Sequence, residues 1–166
     1  MKLNETHVYA CSPEQLLPYF TDPERVVAKY QGLKADKVRV MDHEVDGDSV
    51  TIATSRDMKN NAPAMLRSVL GDSNRLQQYE QWQLQENHYQ CRIKVELVGI
   101  PVSIEGTLLI TPTAEGCQNQ IALDISCGIP FIGGKVTDYI VRDCRALMQS
   151  EYRYLQQQIS ADITTA

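Results

Sequence analysis

The segment KVTDYIVRDCRALMQSEYRYLQQQI, residues 135–159, runs for 25 residues without a glycine or a proline. Val136, Ile140, Cys144, Leu147, Glu151 and Leu155 recur at helical spacing on one face, while Arg142, Arg145, Gln149 and Arg153 turn away from it. The pattern predicts one long amphipathic helix that starts near Gly133 and ends near Ile159. Such a helix must lay its apolar stripe against a partner, and Glu151 places a carboxylate within that stripe.

The preceding chain supplies strands. LNETHVYA (residues 3–10) alternates loosely and reads as a first strand. CSPEQLLPYFTDPERVVAKYQG then carries two helix starts, Ser12 before Pro13 and Thr21-Asp22 before Pro23, each with a capping side chain ahead of a proline suited to a first turn. Two short helices are expected there, with Gly32 stopping the second. From about residue 35 the period becomes alternating. DKVRVMDHEV and SVTIATSRDM flank the turn signal DGD, RLQQYEQWQLQ and YQCRIKVELVG flank ENH, and VSIEGTLLITPT and CQNQIALDISCG flank AEG. KNNAPAMLRSVLGD, between the second and third of these strands, reads as a turn or two of helix that serves as a lid over a pocket mouth or packs on the sheet edge. The order β-α-α-β6-α predicts an α+β fold in which a curved antiparallel sheet of about seven strands wraps around a long C-terminal helix. One helix cannot fill a strongly curved sheet, so an internal cavity is expected.

A chain of 166 residues is long enough for one core, and no linker-like stretch divides it, so residues 1–166 read as a single domain. The formal net charge is -5 and the basic residues are scattered, which argues against a nucleic-acid partner. No apolar run suits a signal peptide or a bilayer span. Cys11, Cys91, Cys117, Cys127 and Cys144 are an odd set without C-x-x-C spacing, as expected of reduced thiols in a cytoplasmic protein.

CSPEQLLPYFTDPERV resembles the opening of the START-like superfamily, in which a strand leads into S-P-E-x-hydrophobic and then D-P-E. PVSIEGTLLITPT together with GIPFIGGKV is similar to a bacterial branch of that superfamily with no assigned function. The resemblance covers essentially the whole chain. It implies the helix-grip fold shared with polyketide cyclases, plant pollen-allergen proteins and lipid-transfer domains, and with it an apolar small-molecule pocket. It implies no universal catalytic set.

Other chemistries find little support in the residues. SCGIPFIGGKVTD lacks the G-x-x-x-x-G-K-[ST] spacing of a phosphate-binding loop, because Gly134 stands where lysine is needed and Val136 follows Lys135. It reads as a hinge from strand to helix. His7, His43 and His88 are far apart, Asp46 and Asp48 suit the hairpin turn, and no nucleophile motif occurs. No catalytic residue, metal or cofactor is therefore assigned. Strand phase is more informative. The inward set of SVTIATSRDM ends in Arg56, and the set holding Leu76, Trp82 and Leu84 also holds Glu80, so Arg56 and Glu80 are expected to form a partly buried pair with Glu151 nearby. The predicted ligand-binding lining comprises Arg56, Glu80, Trp82, Val95, Leu97, Ile104, Leu108, Leu123, Ile125, Ile140, Leu147 and Glu151. The expected partner is a hydrophobic or amphipathic small molecule, bound or carried. The alternatives are a cyclase or hydratase using a pocket carboxylate, and an interaction module with a filled core.

Overall fold

The computed structural model describes residues 1–165. The chain runs β1 (Lys2–Tyr9), α1 (Pro13–Leu16), α2 (Pro18–Thr21), α3 (Pro23–Gly32), β2 (Asp36–Asp46), β3 (Ser49–Lys59), α4 (Ala64–Leu70), β4 (Ser73–Leu84), β5 (Tyr89–Leu97), β6 (Val102–Thr113), β7 (Gly116–Cys127) and α5 (Gly133–Thr165). The strands form one sheet in the order β1-β7-β6-β5-β4-β3-β2, antiparallel at every pairing. The sequence-predicted hairpins all occur, and β1 closes the far edge by pairing with β7. The other edge, β2, is mostly exposed, bulged at two points and rich in charge, features that discourage further strand pairing.

Three short helices, not two, follow β1. Pro18 starts an extra turn directly after α1, since a proline can open a helix where its missing N–H is not needed. Ser12 forms a full capping box with Gln15. Asp22 makes no side-chain cap, and Thr21 Oγ1 instead donates back to the Leu17 carbonyl at 3.1 Å. Gly32, the last residue of α3, sits close against α5: a Cβ there would lie 2.5 Å from the Tyr154 ring. The left-handed residue beyond the helix is Lys34.

Helix α5 runs past Ile159 to Thr165, because SADITT contains no breaker and the Thr164 and Thr165 hydroxyls donate to carbonyls one turn back. At its start, a Cβ on Gly133 would lie 2.9 Å from the Cys127 carbonyl oxygen, so the glycine lets the helix begin hard against the end of β7. The hinge reading of this segment therefore agrees with its geometry.

Two large apolar clusters flank the middle of α5. One gathers Leu66 and Leu70 of α4 with Leu97, Ile104, Ile125, Val136 and Ile140. The other gathers Leu16, Phe20, Trp82, Leu108, Ile110, Leu155 and Ile159. Between them, Cys144, Leu147, Met148 and Glu151 are only partly buried although they face the sheet side. The stripe has no full partner there, and the reason is a cavity.

Candidate ligand cavity

The cavity has a volume of about 160 Å³ and lies between the concave face of the sheet and α5, with Phe20, Lys29 and Tyr30 contributing from α2 and α3. An apolar cavity of about 150 Å³ accommodates benzene, so this space suits one ring or a short chain. Inward-facing alternate residues build its sheet wall: Val95 and Leu97 on β5, Ile104 and Leu108 on β6, Leu123 on β7. Ile140, Leu147 and Glu151 reach it from α5, and Arg56 and Glu80 from β3 and β4.

Two residues of the predicted lining lie elsewhere. Trp82 is fully buried behind the wall, tilted against Phe20 at 5.7 Å, with its indole N–H donated to Glu80. Ile125 is packed into the cluster around α4. Both have the inward phase, but phase fixes only the face of the sheet. Their places along it fall where the end clusters fill the concavity.

The polar wall also differs in one respect from expectation. Arg56 and Glu80 are both buried, yet they form no direct ion pair. Gln78 stands between them: Arg56 Nη2 donates to Gln78 Oε1 at 3.0 Å, and Gln78 Nε2 donates to Glu80 Oε2 at 3.1 Å and to the Tyr30 hydroxyl at 3.0 Å. The pairing register explains this, since Arg56 lies opposite Leu76, Thr54 opposite Gln78 and Ile52 opposite Glu80. The charged residues are thus four pairs apart along the ladder, with Gln78 midway on the same face. Arg56 also stacks on Tyr30, with the guanidinium carbon 3.9 Å from the ring centroid. Glu151 has a different cationic partner, Lys29, at 3.2 Å.

Sequence reasoning missed Lys29, Gln78, Tyr30, His7, Asn119 and Asp143, all of which line the cavity. Gln78 and Asn119 had a usable signal, since each shares the phase of apolar neighbours on its strand. Lys29 had none, because it is buried only by the docking of α3 against α5.

Burial sets the electrostatics. It pushes the Glu80 carboxyl up, more than the pull of Lys29 and the Gln78 amide brings it down. It raises Asp143 as well and lowers His7. Burial would lower Lys29, but the Glu151 carboxylate 3.2 Å away outweighs it and holds the ammonium form. Three buried polar atoms of the lining residues have no hydrogen-bond partner among the described residues: His7 Nε2, Arg56 Nη1 and Asn119 Oδ1. Among the described residues no three His, Cys, Asp or Glu side chains gather as metal ligands would. The arrangement can hold a small apolar body and offer a few fixed polar contacts to its head.

The chain belongs to the DUF2505 family, described as proteins of unknown function, whose profile matches residues 4–159. None of the curated proteins matches it. Among solved structures it is similar to TTHA0849 from Thermus thermophilus, at 19% identity and TM-score 0.67, covering 98% of this chain and 99% of that one. It is also similar to Ara h 8.0201, at 8% identity and TM-score 0.62, with 97% and 98% covered. A STAR-related lipid transfer protein from Xanthomonas axonopodis aligns at 12% identity and TM-score 0.59, with 92% and 85% covered. The chain thus has the helix-grip fold that the resemblance of its opening motif implies.

Proposed function

We propose that this DUF2505 protein binds or carries a compact hydrophobic or amphipathic small molecule in the cavity between the sheet and α5. The observation that carries this reading is the pairing of an apolar wall with unpartnered buried polar atoms. A core evolved only for packing leaves few such atoms, because each costs about 1–3 kcal/mol, whereas a ligand head supplies partners. The lipid-transfer relationship of one structural neighbour supports the class of ligand. Because the space is small, a long lipid or a multi-ring polyketide would enter only if α5 or the sheet moved outward. The five free cysteines fit a reducing compartment, and we place the protein in the cytoplasm. No described helix is long and apolar enough to cross a membrane.

A catalytic reading is favoured by one observation, the buried Glu80 carboxyl held above its ordinary range at the cavity wall, a state suited to general acid work. It ranks second because both Glu80 oxygens already accept hydrogen bonds from Gln78 and Trp82.

Native mass spectrometry of the purified protein against a panel of short-chain and aromatic amphiphiles tests the binding reading. Trp82 fluorescence serves as a second signal, since its neighbours Phe20 and Glu80 line the cavity. Stoichiometric adducts with a fluorescence change are expected. If no member of the panel gives either, the cavity is a packing defect and the interaction-module reading replaces this one.

A further inference from the structure

Of the two buried cations in the cavity wall, Lys29 and Arg56, only Arg56 lacks an ion pair among the described residues. It is 8% exposed, lines the cavity, and forms no ion pair among the described residues. Its partners are neutral: the Gln78 carbonyl on Nη2 and the Tyr30 ring face beneath the guanidinium. Nη1 has no partner among the described residues. A buried arginine stays charged, and such a charge ordinarily has an anionic partner.

The carboxylates around it are committed or lie apart. Glu151 pairs with Lys29 at 3.2 Å. Glu80 accepts from Gln78 and Trp82 and is separated from Arg56 by the Gln78 amide. Asp143 lines the same cavity without an ion pair to Arg56, and burial favours its protonated form. His7, on β1 at the other edge of the sheet, is held toward its neutral form by burial. With Lys29 paired to Glu151, Arg56 is the buried cation of the cavity wall that has no ion pair among the described residues; Lys59, the other lining cation, is exposed.

We infer that Arg56 anchors the anionic head of the ligand, and that the cavity therefore takes a compact amphipathic carboxylate in preference to a neutral or cationic analogue. The inference rests on the binding function proposed above. A carboxylate fits better than a phosphate, which would bring three strongly accepting oxygens to a wall where Arg56 is the one buried cation without an ion pair among the described residues. Gln78 tunes the preference: its amide holds Arg56 in place without neutralising it, where a glutamate would serve as a built-in counter-ion.

The test measures binding by calorimetry for two head-group series, 3-phenylpropionate with 3-phenylpropanol and 3-phenylpropylamine, and octanoate with octanol and octylamine. In the unmodified protein the acid of at least one series should bind about tenfold or more tighter than its alcohol, with the amine weakest. In Arg56→Gln that ratio should fall to near one. In Gln78→Glu, which keeps Arg56 and so remains informative if Arg56→Gln fails to fold, it should fall likewise. Equal affinity of acid and alcohol in the unmodified protein overturns the inference and leaves the binding function standing. So does an acid preference that persists in Gln78→Glu. Failure of all six probes, together with a blank amphiphile panel, overturns both.

Discussion

Lys29 Nζ and Glu151 Oε1 lie 3.2 Å apart, joining α3 to the middle of α5 where the apolar stripe of the long helix is interrupted. Lys29 is 1% exposed, and its ammonium also sits over the rings of Phe20 at 4.4 Å and Tyr30 at 4.9 Å. The glutamate that looked out of place in the helix pattern is thus the counter-ion of a lysine that the helix itself buries.

Removing that counter-ion should be severe. Glu151→Gln leaves a buried ammonium without its carboxylate and should destabilise the fold by about 3 kcal/mol. The double change Lys29→Met, Glu151→Gln should be much milder than the sum of Lys29→Met and Glu151→Gln made singly. Urea unfolding of the four proteins measures the coupling. Additive single effects would show that the two charges do not depend on one another.

A second cycle concerns the relay through Gln78. Arg56→Met and Glu80→Gln should couple by about 1 kcal/mol in the unmodified protein, because both perturb the same amide. In a Gln78→Met background the coupling should vanish. Coupling that survives there would mean that the two charges interact directly through space.

These residues also mark how far the chain could be read before its structure was known. Strand phase was legible, and it brought Arg56 and Glu80 correctly to the inner face. It could not tell that they lie four pairs apart along the ladder, because register depends on turn lengths and bulges that composition does not fix. The same gap misplaced Trp82 and Ile125, since phase gives the face and not the depth at which the core ends. Lys29 was invisible for another reason. Its burial arises from α3 docking on α5, a contact between elements more than a hundred residues apart whose surfaces each look ordinary alone.

The close approach of β6 to β7 depends on a glycine in the middle of β6. A Cβ on Gly106 would collide with the Ala122 carbonyl oxygen of β7, a backbone atom that cannot swing aside. Gly106→Ala should therefore force β6 and β7 apart and cost about 3 kcal/mol or more, on the scale of severe overpacking. A thermal melt within a degree or two of the unmodified protein would show that the strands relax without loss.

The segment before β4 should behave as a fixed end wall and not as a lid. Ala62, Leu66 and Leu70 are buried in the apolar cluster, and the Asn61 amide donates to the Tyr139 hydroxyl at 3.1 Å. Hydrogen exchange of residues 64–70 should be slow and the same with and without a bound amphiphile. Fast exchange that slows on binding would restore the lid.

The last prediction concerns pH and Glu80. Burial disfavours its carboxylate more than Lys29 and the Gln78 amide favour it, so the native carboxyl titrates above its unfolded value of about 4.3. Within the window that opens at the unfolded value and closes at the higher native one, the native state binds more protons than the unfolded chain. Stability from this group is therefore fully present below the window and is lost as pH rises through it. Glu80→Gln keeps the side chain neutral at every pH. It brings a fixed penalty of its own, because an amide cannot accept from both Gln78 and Trp82 as the carboxyl does. That penalty does not vary with pH. The stability of Glu80→Gln relative to the unmodified protein should therefore rise as pH climbs from the unfolded carboxyl value through the higher native one. Asp143, also raised, and Asp57 and Asp124, both lowered, titrate in both proteins and drop out of the difference. Urea unfolding at four pH values across this range measures it. A difference that stays flat or falls with pH would mean that Glu80 is charged in the native state, with its carboxylate compensated by Lys29 and Gln78.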